Sequence, residues 1–176
     1  MKPTLLVVDC LNDFLDPKGV LNCGEAGRSV IPAIAREIAA ARAQGVDVVY
    51  ACDAHRPGDA EFELYPPHCL EGSWGAEIVP ELRPEAGDRI IRKRRFSAFF
   101  GTDLDLGLRE SGSDALRIVG VCTNICVLYT TADARMRGYG VTVPAAAVAS
   151  FDAEAHRFAL GQIRDVLKAT IEGTGE

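Results

Sequence analysis

No apolar run in this 176-residue chain is long enough to span a bilayer. The N-terminus enters a candidate strand almost at once and lacks the pattern of a secretory signal. Both absences lead us to expect a cytoplasmic protein with no membrane partner. Basic excess is missing too: the net charge is -6, so nucleic acid is not an expected partner. The six cysteines contain no pair of Cys-x-x-Cys knuckles, which argues against a structural zinc site on thiolates. A chain of this length is no small secreted scaffold, so Cys10, Cys23, Cys52, Cys69, Cys122 and Cys126 are expected as reduced thiols, several filling the core. Histidine is scarce. Of three, His55 and His68 share one stretch and His156 stands apart. No repeat, low-complexity tract or linker is visible, so one domain over 1–176 is expected.

What is present reads as an ordinary globule, 48% apolar and 25% charged. Thr4 to Val8 is a continuous apolar run ending in Asp9, the profile of a strand covered on both faces. Ser29 to Gln44 predicts a helix, with Ser29 as cap and Val30, Ile34, Ile38 and Ala41 as the buried stripe. Further strands are expected at Val46–Ala51, Asp88–Arg92, Ala115–Val121 and Gly140–Pro144. Helices are expected from Thr102 to Ser111, from Asn124 to Arg137, and from Asp152 to Ile171, the last with Phe158, Ile163, Val166 and Leu167 facing inward. His55 to Gly87 is long, rich in Pro and Gly, and weakly periodic, which marks a functional loop. Alternating strands and helices predict an α/β domain around a mostly parallel sheet. In such sheets the site lies beyond the carboxyl ends of the strands, where Asp9, Asp53, Lys93 and Cys126 all fall.

Cys126 follows an apolar strand, at the expected start of a helix that Thr123 or Asn124 can cap. A helix N-terminus favours an anion, so a thiol there is expected to ionise more easily and to act as a nucleophile. Asp9 can serve as its base if apolar walls raise its pKa. Lys93 can hold both through charge, although a run such as Arg89–Arg95 is commonly a solvated face. A second cluster comprises Asp53, His55, Glu61 and His68. Two imidazoles with carboxylates suit zinc, iron or manganese. Asp59 and Glu63 flank Glu61 as competing oxygen donors. A thiol redox pair of Cys122 and Cys126, four residues apart, is a rival reading of a different class.

Four blocks carry a family resemblance: Leu5-Leu6-Val7-Val8-Asp9 with Asn12-Asp13-Phe14; Asp53-Ala54-His55 with Tyr65-Pro66-Pro67-His68-Cys69; Lys93-Arg94-Arg95-Phe96-Ser97; and Gly120-Val121-Cys122-Thr123-Asn124-Ile125-Cys126. In this order the chain resembles the isochorismatase-like cysteine hydrolases, and within them the nicotinamidases. The resemblance implies a three-layer α/β/α fold, Rossmann-like, with a central, mostly parallel sheet. It implies Asp9, Lys93 and Cys126 as a catalytic triad. It also implies a cis peptide between Val121 and Cys122, which aims the backbone N–H groups of Cys122 and Cys126 into an oxyanion hole. Relatives acting on nicotinamide carry a metal that binds the pyridine nitrogen. Asp53, His55 and His68 match its ligands, with Glu61 favoured as the variable one, and Phe14 and Tyr65 match aromatic positions of the substrate pocket. Ala54 departs from the usual tryptophan.

The activity so implied is hydrolysis of a small carboxamide to acid and ammonia through a thioester, with nicotinamide as the leading substrate and an N-carbamoyl or other small amide as the rival. A divalent transition metal is the expected cofactor, with no organic one, and the chain is expected to form a homo-oligomer.

Overall fold

The structure, a computed structural model, describes residues 1–173. Its elements run β1 (Pro3–Val8), α1 (Asn12–Leu15), α2 (Gly24–Ser29), α3 (Ile31–Ala43), β2 (Asp47–Asp53), β3 (Arg89–Lys93), α4 (Leu104–Glu110), β4 (Ala115–Val121), α5 (Leu128–Met136), β5 (Gly140–Pro144), β6 (Val148–Ala149), α6 (Ala153–Gly161) and β7 (Thr170–Glu172). The strands form one sheet in the order β3-β2-β1-β4-β5-β7, with β6 alongside β4, and every pairing is parallel. This is the expected α/β architecture with a central parallel sheet.

The side-chain period of two in β1 builds the layers. Leu5 and Val7 point into one core with Ile34 and Ile38 of α3, while Leu6 and Val8 point into the other with Leu104 and Leu108 of α4 and Ala134 of α5. Both faces are therefore dry, which is why the run carries no polar alternation. Thr4, the one polar residue of that run, is buried and donates its hydroxyl to Ser113 Oγ at 3.0 Å.

The chain leaves β1 toward β2 and β3 on one side, then returns to β4 on the other. The strand order thus reverses between β1 and β4, and a crevice opens there beyond the carboxyl ends. Gly120 lets the two strands approach at that point. Its φ is +118°, and a Cβ there would lie 2.0 Å from the Val8 carbonyl oxygen.

Several expected boundaries are corrected. Ser29 does not cap α3: it ends the separate helix α2, and its hydroxyl donates to the Ala26 carbonyl. Ile31 opens α3, and Pro32 follows in its first turn, where a missing N–H costs nothing. The expected last helix from Asp152 to Ile171 stops short. α6 passes into a π turn at Gln162–Val166, Lys168 takes a φ of +53°, and the chain becomes the edge strand β7 beside β5. Phe158 and Val166 are exposed rather than inward, while Ile163 is buried. Pairing with a distant strand overrode the local helical spacing. The long loop does lack regular structure, holding three short 3-10 turns at Ala60–Glu63, Trp74–Ala76 and Pro80–Leu82. No described helix is long and apolar enough to cross a membrane.

Candidate active site

Register brings the first three site residues together. Asp53 and Lys93 are cross-strand partners at the ends of β2 and β3, and Asp9 follows β1 on the same rim. Asp9 adopts a left-handed backbone, φ +50°, which short polar side chains tolerate better than most. Its N–H donates to the Ala51 carbonyl at 2.9 Å, and its Oδ1 accepts from the Asp53 N–H at 2.8 Å. The carboxylate is thereby turned into the crevice.

Lys93 does not belong to a solvated face. Its side chain is 0% exposed, and Nζ lies 2.7 Å from Asp9 Oδ2, 2.6 Å from Asp53 Oδ1 and 3.6 Å from Cys126 Sγ. One oxygen of Asp9, one of Asp53 and the Cys126 sulfur all fall within 4.8 Å of one another. The ammonium sits among them as the cation that lets two carboxylates share a dry site. Lys93 thus departs from the solvated face that a run such as Arg89–Arg95 commonly makes, and it sits beside Asp9 and Cys126 as the resemblance implies. The period of two in β3 sends Ile91 and Lys93 inward and Ile90 and Arg92 outward.

These contacts set the proton affinities. Burial, then the neighbouring Asp53, raise the Asp9 pKa to about 6 against the pull of Lys93. Burial also opposes the charge on Asp53, but Lys93 and His55 together hold its carboxyl below the usual range. Lys93 stays protonated: burial disfavours its charge, and Asp53, Asp9 and Cys126 more than offset that. The expectation of an easily ionised thiol at a helix start is corrected. Burial pushes the Cys126 thiol well up, and Lys93 is the group that draws it back. Cys126 lies within a π turn, Thr123–Val127, ahead of α5. Neither Thr123 nor Asn124 caps it. Thr123 Oγ1 lies 2.8 Å from His156 Nδ1, and Asn124 accepts from the Ser150 hydroxyl. The Val121–Cys122 peptide is cis. Cys122 Sγ lies against Cys23 Sγ at 3.4 Å, so the thiol beside Cys122 belongs to a distant segment and not only to its own turn.

The second cluster assembles beside the first. Asp53 Oδ2 lies 3.8 Å from His55 Nε2 and 3.9 Å from His68 Nε2, and Glu61 Oε1 lies 3.9 Å from His55 Nε2. His68 Nδ1 is 2.8 Å from the Pro66 carbonyl, which leaves a neutral ring with its Nε2 lone pair available to a cation. The His55 ring is fully buried, and its Nε2 has no hydrogen-bond partner. An orphaned imidazole nitrogen facing a carboxylate, a second imidazole and a further acid is what a divalent metal fits. Asp59, one of the competing donors, turns away from this group, and Glu63 is exposed. The imidazoles pack edge to face at 4.7 Å between Phe14 and Phe62. Asp13, which sequence reading gave no role, anchors this loop: its Oδ2 accepts from the Cys69 N–H at 2.7 Å. A Cβ on Gly75 would strike that carboxylate. The pairing of an acid at position 13 with a glycine at position 75 leaves no local signal.

A small pocket opens onto both clusters. Phe14, Leu21, Tyr65, Phe96, Ile125 and Phe151 wall it, and Cys122, Cys126, Asp53, Glu61 and His68 line its deeper part. Phe14 and Tyr65 were expected here. Leu21, Phe96 and Phe151 were not, since only tertiary packing brings three separate segments to one opening.

An isochorismatase domain profile matches residues 3–174. A Bacillus subtilis protein described as the uncharacterized isochorismatase family protein PncA is 39% identical, over 97% of this chain and 99% of its own length. Among solved structures, a nicotinamidase PncA from Bacillus subtilis superposes with a TM-score of 0.94 at 36% identity, covering 98% of this chain and 100% of that one. An N-carbamoylsarcosine amidase from Thermoplasma acidophilum gives 0.90 at 35%, covering 100% and 98%. A pyrazinamidase of Pyrococcus horikoshii in complex with zinc gives 0.91 at 30%, covering 97% and 98%.

Proposed function

From the premise that this chain belongs to the isochorismatase family, we propose that it is a metal-assisted cysteine amidohydrolase that converts nicotinamide, or a close aromatic carboxamide, to the acid and ammonia. The observation that carries this reading is Lys93 Nζ, held between Asp9, Asp53 and the Cys126 sulfur behind an aromatic-walled pocket that Asp53 and Cys126 line.

In this mechanism Asp9 takes the proton of the Cys126 thiol, and the thiolate attacks the amide carbonyl carbon. The pKa of Asp9, about 6, suits a group that must accept a proton and return it near neutrality. Lys93 offsets the negative charge as it passes from carboxylate to sulfur and back. The N–H groups of Cys122 and Cys126 receive the tetrahedral oxyanion. The C–N bond breaks, Asp9 delivers its proton to the departing nitrogen, and ammonia leaves a thioester on Cys126. Water, losing a proton to Asp9, cleaves the thioester. The acid departs and the proton returns to the Cys126 sulfur. Asp53, His55 and His68, with Glu61 as a further donor, would hold a divalent metal, which when bound would supply Lewis-acid chemistry to the substrate.

The walls favour a neutral, flat substrate. Among the described residues no arginine or lysine lines the pocket, and its acids are Asp53 and Glu61. Lys93, behind them, is already shared between two carboxylates. An N-carbamoyl amino acid would bring its own carboxylate into a pocket where no described arginine or lysine is free to meet it, leaving only a bound metal to do so. Likeness to the N-carbamoylsarcosine amidase keeps that class as the second reading. Ammonia release from nicotinamide, pyrazinamide and N-carbamoylsarcosine decides between them. We expect kcat/KM for the two ring amides to exceed that for the carbamoyl compound by at least about 100-fold, on the order of 3 kcal/mol. Turnover of N-carbamoylsarcosine alone would overturn the substrate assignment. Turnover of none would overturn the activity.

A further inference from the structure

We infer that Asp59, clamped by Arg95, is a positioning residue for the metal centre: it sets the tautomer and tilt of His55 and is not itself a ligand. The inference rests on the reading of Asp53, His55 and His68 as ligands, and it adds a residue that acts through one of them.

The geometry separates the two nitrogens of His55. Nε2 faces the ligand group, with Asp53 Oδ2 at 3.8 Å and Glu61 Oε1 at 3.9 Å. Nδ1 faces the other way, toward Asp59 Oδ2 at 3.3 Å. Both atoms are buried, and among the described residues neither has a hydrogen-bond partner, so each is left with the other as its nearest polar neighbour at that distance. A carboxylate at Nδ1 demands the proton on that nitrogen, and a neutral ring then offers its Nε2 lone pair to a cation. His68 meets the same requirement through the Pro66 carbonyl. The two imidazoles are thus oriented by different devices.

Asp59 is in turn fixed on its other oxygen. Oδ1 accepts from Arg95 Nη1 at 2.8 Å and from the Glu61 N–H at 3.1 Å, and Arg94 Nη1 stands 3.7 Å from Oδ2. The end of β3 therefore serves two sites. Lys93 goes inward to Asp9 and Asp53, while Arg95, two residues on, reaches Asp59 over the back of His55. Because two donors hold Oδ1, an amide at position 59 has to turn its oxygen toward them. Its NH2 group then faces His55 Nδ1. That donor requires Nδ1 to be the acceptor, which moves the ring proton to Nε2 and blocks the ligand position.

The test is metal affinity, measured by titrating the metal-free full-length protein with Zn2+ or Co2+, with the Co2+ visible spectrum as a second readout. Asp59→Asn should weaken binding roughly 10–100-fold, and at least as much as Asp59→Ala, which leaves Nδ1 to water. A merely structural role predicts the opposite ranking, since Asn keeps the volume and most contacts. Asp59→Asn that binds as tightly as wild type, or more tightly than Asp59→Ala, overturns the inference. Wild-type protein that binds neither metal overturns the ligand reading itself, which is a different failure. One measurement needs no variant. Nitrogen-15 chemical shifts of His55 in the metal-free wild type at pH 8.5 should report a proton on Nδ1. A proton on Nε2 overturns the inference even if the variants do not fold.

Discussion

Lys93 Nζ lies 2.6 Å from Asp53 Oδ1, while the second oxygen of Asp53 faces the imidazoles of His55 and His68. One carboxylate thus belongs to two clusters, an ammonium–thiol group and a group of candidate metal ligands.

Removing the sulfur isolates the chemistry from the fold. Cys126→Ala should lower ammonia release about 10^4-fold or more, with an unchanged circular dichroism spectrum. The deleted atom is one sulfur, and alanine keeps the rest of the buried side chain in place. Near wild-type turnover in this variant would end the thioester mechanism.

Lys93→Met tests the charge balance. The substitution leaves Asp9 and Asp53 buried side by side with no cation of their own. Breaking such a buried arrangement costs about 3–5 kcal/mol, readable by denaturant unfolding. Adding Asp9→Asn in the same chain should recover part of that loss, since one of the two like charges is then gone. A Lys93→Met protein as stable as wild type would contradict the arrangement.

Acidity acts through Asp9. In the proposed mechanism its carboxylate accepts the thiol proton, and its pKa is about 6, so activity should be present above that value and lost as pH falls through it. Asp53, Lys93 and Cys126 face it. The pH profile of kcat/KM, which reports the free enzyme, should show an acidic limb centred about pH 6. A profile flat down to pH 4 would exclude Asp9 as the base.

Chelation should separate the two clusters. Stripping the metal is expected to lower nicotinamide turnover, with recovery on adding back Zn2+ or Mn2+. Alkylation of Cys126 by iodoacetamide should proceed at a similar rate before and after, since Lys93 stays beside the sulfur. Turnover indifferent to chelator, in protein shown to be free of transition metal, would remove the metal from the proposal.

The sequence by itself determined the layers and the rim. The two-sided dryness of Leu5–Val8, the alternation of strand and helix, and the fall of Asp9, Asp53, Lys93 and Cys126 at strand ends are local patterns, and local patterns are written in neighbouring residues. The burial of Lys93 was half legible: its spacing from Ile91 places it inward, but the surrounding arginines mask that signal. Tertiary structure alone decided the rest. It turned the end of the expected last helix into β7 because the edge of β5 offered backbone partners. It sent Thr123 and Asn124 to His156 and Ser150 instead of to a cap. It separated Glu61 from Asp59 by bringing them to opposite nitrogens of one imidazole. Which charged groups lose their water together, and which cation they then share, depends on contacts between segments far apart in the chain. No spacing along a single segment can encode that.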